Sequence, residues 1–395
     1  MNECAGHPRQ YGPDHNRQPQ IHHAYRHRST PRTDLSLCSP PVAPLATHAK
    51  SLAAIPCGIG TRKPNDRYLL FFKTMFYSRF FRLIIFISLA SFWSSQADAD
   101  ERAIAITIDD LPAVATGPHL HQKRSMNLSL LAALARHEAP AIGFVNEGRL
   151  YADGQLDPDL VDILRLWTAA GMELGNHSFA HRDFHQTPLP QFQQDVINGE
   201  TVTREVLAER GQTPRYFRHP YLRTGRDLEK RAQFETFLAE RDYVVAPVTI
   251  DNSEWIFASA YANAVETSDT ELAQQIGDDY VVYMAKIVLY YEDQTEIFYQ
   301  RRIPHILLLH ANQLNADYLT SLLDGLVNRG YRFVSLDEAL ADPVYNSVDT
   351  YDGPAGITWL HRWAISRGES PAKFAGEPRV PPYVLKLVGL EGSGY

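Results

Sequence analysis

After Asp100 the sequence predicts an α/β fold around a parallel sheet, open or closed into a barrel. Two patterns lead to this reading. Short apolar, β-branched runs alternate with longer segments of helical spacing, as βα units do. Polar residues gather where the short runs end: Asp109 and Asp110, Asn146, His177, Arg218 and Tyr221, Asp251, and His310. Parallel α/β architectures build their sites at the carboxyl ends of the strands. These residues, distant along the chain, are therefore expected to meet.

The elements follow in order. "RAIAITID" reads as a buried strand, because its apolar run does not alternate. "SMNLSLLAALARHE" has helical spacing, and "AIGFVN" is a strand. "PDLVDILRLWTAAG" is a helix closed by Gly171 as a C′ glycine. "MELGNH" is a strand, and "LPQFQQDVINGETVTREVLAERG" one long helix ending at Gly211. "RYFRHPY" is a strand, "DLEKRAQFETFLAERD" a helix, and "YVVAPVTID" a strand. A helical stretch runs from Thr270 to Phe298. "HILLLHAN" is a strand, "ADYLTSLLDGLVNRG" a helix, and "YRFVSLDEAL" a strand with a helical turn. Seven or eight such strands suit a barrel. The Pro- and Gly-containing segment 343–395, with one helical patch at "ITWLHRWAIS", is expected to wrap the surface of a domain spanning 100–342.

The whole chain has 395 residues, 44% of them hydrophobic, and a formal net charge of -8. That is ordinary globular composition. The mild acidity argues against nucleic acid as a partner, which calls for a basic footprint. The cysteines, Cys4, Cys38 and Cys57, all precede the α/β region. No disulfide framework or cysteine-based zinc site is therefore expected within it.

Residues 1–74 are rich in Pro, Arg, His and Gln without a sustained hydrophobic period, and are read as a disordered or spurious extension. They hold His7, His15, His22, His23, His27 and His48, so a metal-binding tract is the alternative there. Residues 75–99 have the layout of a secretory signal peptide: Arg79 and Arg82, an apolar run from Leu83 to Trp93, then Ala97-Asp98-Ala99. The apolar run is short for a membrane helix, and no stable span is expected after cleavage. The expectation is a start at Met75 and a secreted or periplasmic protein. An uncleaved anchor is the other reading, and N-terminal sequencing of the natural precursor separates the two.

Two adjacent acids closing a buried strand cost desolvation unless a cation or metal pairs with them. The plainer readings of Asp109 and Asp110 are an acidic turn or a helix cap. His177 and His181, four residues apart, would share a helical face, and imidazole is a common zinc ligand. A packed or solvated face is the plainer reading, and His185 continues the spacing toward Pro188. Taken together, one carboxylate and two histidines make a three-ligand metal site with positions open for water and substrate. The other carboxylate is then free to act as general base. Adjacent residues on a strand end face opposite ways, which suits that division. His310 is the candidate acid for a leaving group. Arg218 would orient the base, and Glu254 would hydrogen-bond His310.

At this point the chain resembles the polysaccharide deacetylases of the NodB homology type, carbohydrate esterase family 4. The resemblance rests on "TIDD" (Thr107–Asp110), "HSFAH" (His177–His181), "RHPY" (Arg218–Tyr221), "DNSEW" (Asp251–Trp255) and "LLLH" (Leu307–His310), in the family's order. It implies a distorted (β/α) barrel of seven strands rather than eight. It implies a divalent metal, commonly zinc, held by Asp110, His177 and His181. By the same carry-over Asp109 is the general base, oriented by Arg218, and His310 the general acid. The Tyr221 backbone N–H would stabilise the oxyanion, Trp255 would line the acyl pocket, and Asp251 is retained as the first acid of its motif. Three departures stand out. Leu111-Pro112 replaces the glycine after the two acids, Glu254 stands where the family has Asp, and a long segment, 262–304, precedes the last motif.

The resemblance implies a metal-dependent hydrolase that removes N-acetyl or O-acetyl groups from a glycan such as peptidoglycan. A second reading keeps the metal and changes the substrate to a small linear or cyclic amide. A third is a non-catalytic glycan-binding protein. Acetate release from N-acetylglucosamine oligomers, turnover of small amides only, or glycan binding without turnover tells them apart.

Overall fold

The computed structural model describes residues 102–117 and 119–395. The expectations for segments 1–74 and 75–99 lie outside the described residues. Strand β1 (Arg102–Leu111) is central and nearly wholly buried. It pairs in parallel with β2 (Ala141–Val145), β8 (His305–His310) and β9 (Tyr331–Val334). Strands β5 (Glu173–Asn176), β6 (Tyr216–Phe217) and β7 (Val244–Val245) continue outward from β2. The result is a seven-stranded parallel sheet. A separate two-stranded antiparallel hairpin joins β3 (Tyr151–Ala152) to β4 (Gln155–Leu156). Beyond β7 the chain crosses to the far side of the sheet, where Ile250 bridges to Leu307 of β8. The Leu308 N–H donates to the Ile250 carbonyl at 3.1 Å. The sheet thus curls into a distorted barrel.

Strand alternation sorts the side chains by size. Ile104, Ile106 and Ile108 of β1 join the large core beneath the outer helices. Ala103 and Ala105 face the narrow interior, with Phe144, Tyr216, Ala246 and Ile306. Small residues on the inner face leave room for those rings. The same period carries Thr107 and then Asp109 along the inner face toward the carboxyl end.

The helices are α1 (Leu120–Arg136), α2 (Pro158–Ala169), α3 (Leu189–Asn198), α4 (Thr201–Ala208), α5 (Leu228–Ala239), α6 (Glu254–Glu266), α7 (Thr270–Tyr299), α8 (Gln313–Asn328), α9 (Leu336–Leu340), α10 (Trp359–Ser366) and α11 (Pro382–Leu387). Helix α2 starts on Asp157, whose side chain accepts the Asp159 N–H, and has Pro158 at its first position. It is followed by Gly171 at φ +80°. Helix α6 was not foreseen: seven of its thirteen residues are buried, so no polar face marks it in the sequence. Among the described residues no helix is long and apolar enough to cross a membrane.

The single helix expected over 189–211 is instead two, α3 and α4, broken at Gly199–Glu200. The break has a local cause. A Cβ on Gly199 would lie 2.4 Å from the backbone carbon of Ser178 and 2.6 Å from the Phe179 nitrogen. The chain bends there to let the "HSFAH" loop pass against it. Buried Glu147 meets the new helix start, accepting the Val202 and Thr203 N–H groups at 3.0 and 2.7 Å. Gly199→Ala is expected to destabilise the fold by about 1–3 kcal/mol, the usual range for overpacking, and to loosen that loop. Calorimetry with a cation titration checks both, and an unchanged melting midpoint would contradict the packing argument.

The segment expected to wrap the surface also reaches the core. Trp359, Leu360 and Trp363 of α10 are buried in the main cluster. The Trp359 N–H donates to the Val248 carbonyl at 2.8 Å, fixing this segment beside the crossing that closes the barrel. The long insertion forms α7, whose Tyr283 hydroxyl accepts the Ser253 N–H at 3.0 Å just ahead of α6.

Candidate active site

The register aligns the strand ends. Leu111 stands beside Val145, Val145 beside Asn176, and Asn176 beside Phe217. On the other edge Asp109 is the direct neighbour of His310. His177 and Arg218 each follow the last residue of their strand, so all these groups collect on one rim.

Asp109 and Asp110 do not divide as strand alternation would require. Both approach His177 Nε2, Asp109 Oδ2 at 3.7 Å and Asp110 Oδ1 at 3.9 Å. The reason is a register shift between Ile108 and Leu111, with Asp110 in the left-handed region at φ 65°. Such a bulge re-aims a side chain at the sheet rim. Leu111, which replaces the family's glycine, turns fully inward. Its Cδ1 occupies the space a Cβ on Gly143 would need, 2.2 Å away. The Leu-Pro variation is thus accommodated by packing beneath the rim.

His177 and His181 do not share a helical face. Residues 177–183 form a loop after β5. Ser178 and His181 have φ of 62° and 51°, which no helix tolerates. The Ser178 N–H donates to Asn176 Oδ1 at 2.7 Å, and the His181 N–H to Ser178 Oγ at 3.1 Å. This turn brings the two rings within 4.8 Å of each other, centroid to centroid. His177 Nδ1 lies 2.9 Å from the Arg218 carbonyl. A carbonyl only accepts, so Nδ1 carries the proton and Nε2 keeps its lone pair. His181 Nε2 is 3.7 Å from Asp110 Oδ1.

Asp110, His177 and His181 offer ligand atoms that all lie within 4.8 Å of one another. The donor set fits a divalent cation. Asp110 Oδ1 is buried with no hydrogen-bond partner. Burial pushes both imidazoles down to about 4, so they are neutral ligands at neutral pH. Burial alone would raise Asp110, but Arg149 and the nearby histidines outweigh it and hold the carboxyl well below its usual range. Asp110→Asn and His177→Ala are each expected to weaken zinc binding at least tenfold, as ligand and tautomer losses do, measured by titration calorimetry on the folded variants. Full metal occupancy in either variant would place the site elsewhere.

Asp109 sits under this cluster, 2% exposed. Burial raises its pKa, and Arg218 is the main opposing charge. Arg218 is fully buried. Its NH1 is 3.6 Å from Asp109 Oδ2, its NH2 donates to Thr107 Oγ1 at 3.0 Å, and its guanidinium lies 4.7 Å above the Phe144 ring. Asp109 Oδ1 is buried with no hydrogen-bond partner.

His310 is held from behind. Its Nδ1 is 2.7 Å from Glu254 Oε2. The longer side chain at position 254 therefore reaches the histidine. Burial works against the imidazolium, but the Glu254 charge and hydrogen bond prevail and push His310 up to about 9. Glu254 is fully buried at the start of α6. Its other oxygen accepts from Asn312 Nδ2 and, at 2.7 Å, from Asn315 Nδ2. Tyr280 of α7 donates to Asn315 Oδ1 at 2.7 Å.

Asn312, Asn315 and Arg149 were not singled out in the sequence. Asn312 is legible afterwards as the N-cap of α8, whose side chain accepts the Asn315 N–H. Arg149 NH2 lies 3.6 Å from Asp110 Oδ2, and nothing in its local pattern marks it. Tyr221 joins the site with its ring edge-on to His181 at 4.5 Å. Both Tyr221 and Leu222 are left-handed, at φ 58° and 53°, which costs about 1–2 kcal/mol per residue. Trp255, partly buried, packs edge-on against Tyr395 at 5.4 Å. Asp251 is raised to about 6 by burial, and its Oδ1 accepts the Asn252 N–H at 2.8 Å. His185, outside the donor set, has its N–H on Asp183 Oδ1 at 2.8 Å.

Fold and site together define a class: a curled parallel α/β barrel with an Asp-His-His donor set and a carboxylate–histidine pair on its carboxyl rim. Residues 96–236 match the family model described as polysaccharide deacetylase. Similar solved structures include a CE4 family pseudoenzyme from Bacillus anthracis, at 15% identity and a TM-score of 0.38 over 61% of this chain and 66% of that one. The peptidoglycan deacetylase PdaC from Bacillus subtilis aligns at 20% identity and TM-score 0.39 over 62% and 93%. A family 4 carbohydrate esterase from Streptomyces lividans, in complex with acetate, aligns at 21% identity and TM-score 0.38 over 61% and 97%. No curated protein matches the chain in sequence.

Proposed function

We propose that this protein is a metal-dependent deacetylase that removes an acetyl group from an amine or hydroxyl of a glycan, with an N-acetylated sugar as the leading substrate. The observation that carries the reading is the pairing of Asp109 with His310 across β1 and β8, next to the Asp110–His177–His181 donor set. Neighbouring strands are about 4.8 Å apart, so one carboxylate and one imidazole can act on opposite sides of the same carbonyl carbon.

When bound, a divalent cation would supply Lewis-acid polarisation of the carbonyl and a lowered pKa for water. The chain's own groups do the rest. Asp109, whose ionised form the Arg218 guanidinium favours against the effect of burial, takes a proton from the attacking water. The Tyr221 N–H donates to the oxygen on which charge develops, a contribution worth roughly 3 kcal/mol for one such donor. His310, kept protonated by Glu254, gives its proton to the departing amine. Trp255 bounds the acyl side of the cavity. A glycan partner and export through segment 75–99 belong to the same reading.

The test is an acyl-release screen. Acetate freed from N-acetylglucosamine oligomers, lost with chelator and restored by zinc, is the expected result. Turnover confined to small cyclic amides would replace the substrate, and glycan binding with no turnover of any acyl compound would replace the enzyme reading.

A further inference from the structure

The Tyr221–Leu222 turn is strained, and β6 ends before it at Phe217; locally it is closed by two bonds, from the Leu222 N–H to the His219 carbonyl and from the Arg223 N–H to the Pro220 carbonyl, each at 3.1 Å. Its long-range supports come from a segment more than a hundred residues later, beyond the residues that match the family model. Gly356 lies directly on the turn: a Cβ there would be 1.7 Å from the Tyr221 carbonyl oxygen and 2.9 Å from its carbonyl carbon, both backbone atoms that cannot swing aside. Arg362 of α10, 1% exposed, reaches the same turn from below. Its NH1 donates to the Leu222 carbonyl at 3.3 Å and its NH2 to Thr224 Oγ1. Its Nε donates to Asp349 Oδ2 at 2.8 Å, and its guanidinium lies 4.6 Å over the Trp359 ring. Arg231, also buried, ties Asp349 and Tyr351 to Thr224 and Gly225.

A buried ion pair of this kind adds little net stability, because desolvation cancels much of its Coulomb gain. What it does supply is a fixed geometry. A planar guanidinium locked between a carboxylate and an indole face can hold a carbonyl only in one place. The carbonyl it holds follows Tyr221 in the chain, and the glycine beside it sets how far the Tyr221 peptide can move.

We infer that segment 349–362, through Gly356 and Arg362, positions the Tyr221 backbone for the reaction. They are positioning residues, with no contact to substrate. The inference rests on the deacetylase reading for the role of the Tyr221 N–H. It turns what looks like a trailing segment into part of the catalytic frame.

The test compares Gly356→Ala, Arg362→Met and Arg362→Lys with the wild type, all as full chains. A donor that acts only on the developing oxyanion affects kcat and kcat/KM equally. Gly356→Ala and Arg362→Met are therefore expected to lower kcat by roughly tenfold or more, a fraction of the 10²–10³-fold owed to a whole donor, with KM unchanged. Arg362→Lys keeps the charge but not the fork and recovers part of the loss. In parallel, amide hydrogen exchange over residues 218–225 speeds up in Gly356→Ala and Arg362→Met, while exchange over 176–183 does not. If Gly356→Ala fails to fold, the two Arg362 variants carry the same comparison. A fall in kcat without faster exchange at 218–225 overturns the inference, as does faster exchange with kcat intact, or a rise in KM alone. A wild-type chain that releases no acyl group from any compound defeats the deacetylase reading instead. The exchange data then still decide whether the segment holds the turn, and unchanged exchange overturns that as well.

Discussion

Asp109→Asn is expected to lower kcat by about 10²–10⁴-fold, the span assigned to a positioned general base, while zinc still binds. The substitution keeps shape and removes only the proton acceptor. The candidate donor set is Asp110, His177 and His181, so a cation held there is expected not to depend on Asp109. Two features support this carboxylate as the proposed base. Its Oδ1 is buried without a partner, and its Oδ2 is 3.6 Å from the Arg218 guanidinium. Burial raises its pKa and Arg218 opposes that rise, so the proton affinity of the base is tuned between the two. Arg218→Met removes the opposing charge, and the acid limb of kcat/KM then moves to higher pH. Melting midpoints are measured alongside, because Asp109→Asn leaves a buried guanidinium without its counter-charge. A folded Asp109→Asn protein with kcat within threefold of wild type would remove Asp109 from the base role.

The parts of this site that were readable from the sequence are those where chemistry and strand ends coincide. Asp109 and Asp110 close an apolar run, His310 closes another, and a parallel sheet has to bring such ends together. The unreadable parts turn on backbone geometry that residue type does not announce. The four-residue spacing of His177 and His181 suits a helix, but left-handed Ser178 and His181 make a loop that aims both rings inward. Gly199 looks like a tolerable glycine within a long helical pattern. Only the close passage of Ser178 and Phe179 shows why the helix must break there. Strands β6 and β7 are two residues each, so "RYFRHPY" and "YVVAPVTID" spend most of their length as crossings and turns. Asn312 and Asn315 form the floor under Glu254 through side-chain contacts between elements. No local period encodes such contacts.

Glu254→Gln is expected to move the alkaline limb of kcat to lower pH. His310 must be protonated to serve as the acid, and Glu254 is what lifts it to about 9 against the effect of burial. Without the Glu254 carboxylate, burial is opposed only by the smaller effects of Asp110 and Asp109, and the imidazole falls from about 9 toward its ordinary 6.5. At pH 8 a group titrating at 6.5 is protonated in only about one molecule in thirty, so a complete return to 6.5 lowers kcat there by roughly thirtyfold and a partial one by less. A cation held by Asp110, His177 and His181 adds positive charge and lowers the limb in both proteins, which preserves the sign of the difference. The same linkage appears in stability. A histidine raised from 6.5 to about 9 contributes stability that is fully present below pH 6.5 and is lost as pH rises through 9. Wild-type melting midpoints should therefore fall across that window, and those of Glu254→Gln should stay flatter. The two measurements answer different questions. The kinetic limb reports whether His310 is the acid, and the melting curve reports whether Glu254 charges it. A flattened melting curve with an unmoved kinetic limb would keep the ion pair and assign the leaving-group proton to another donor.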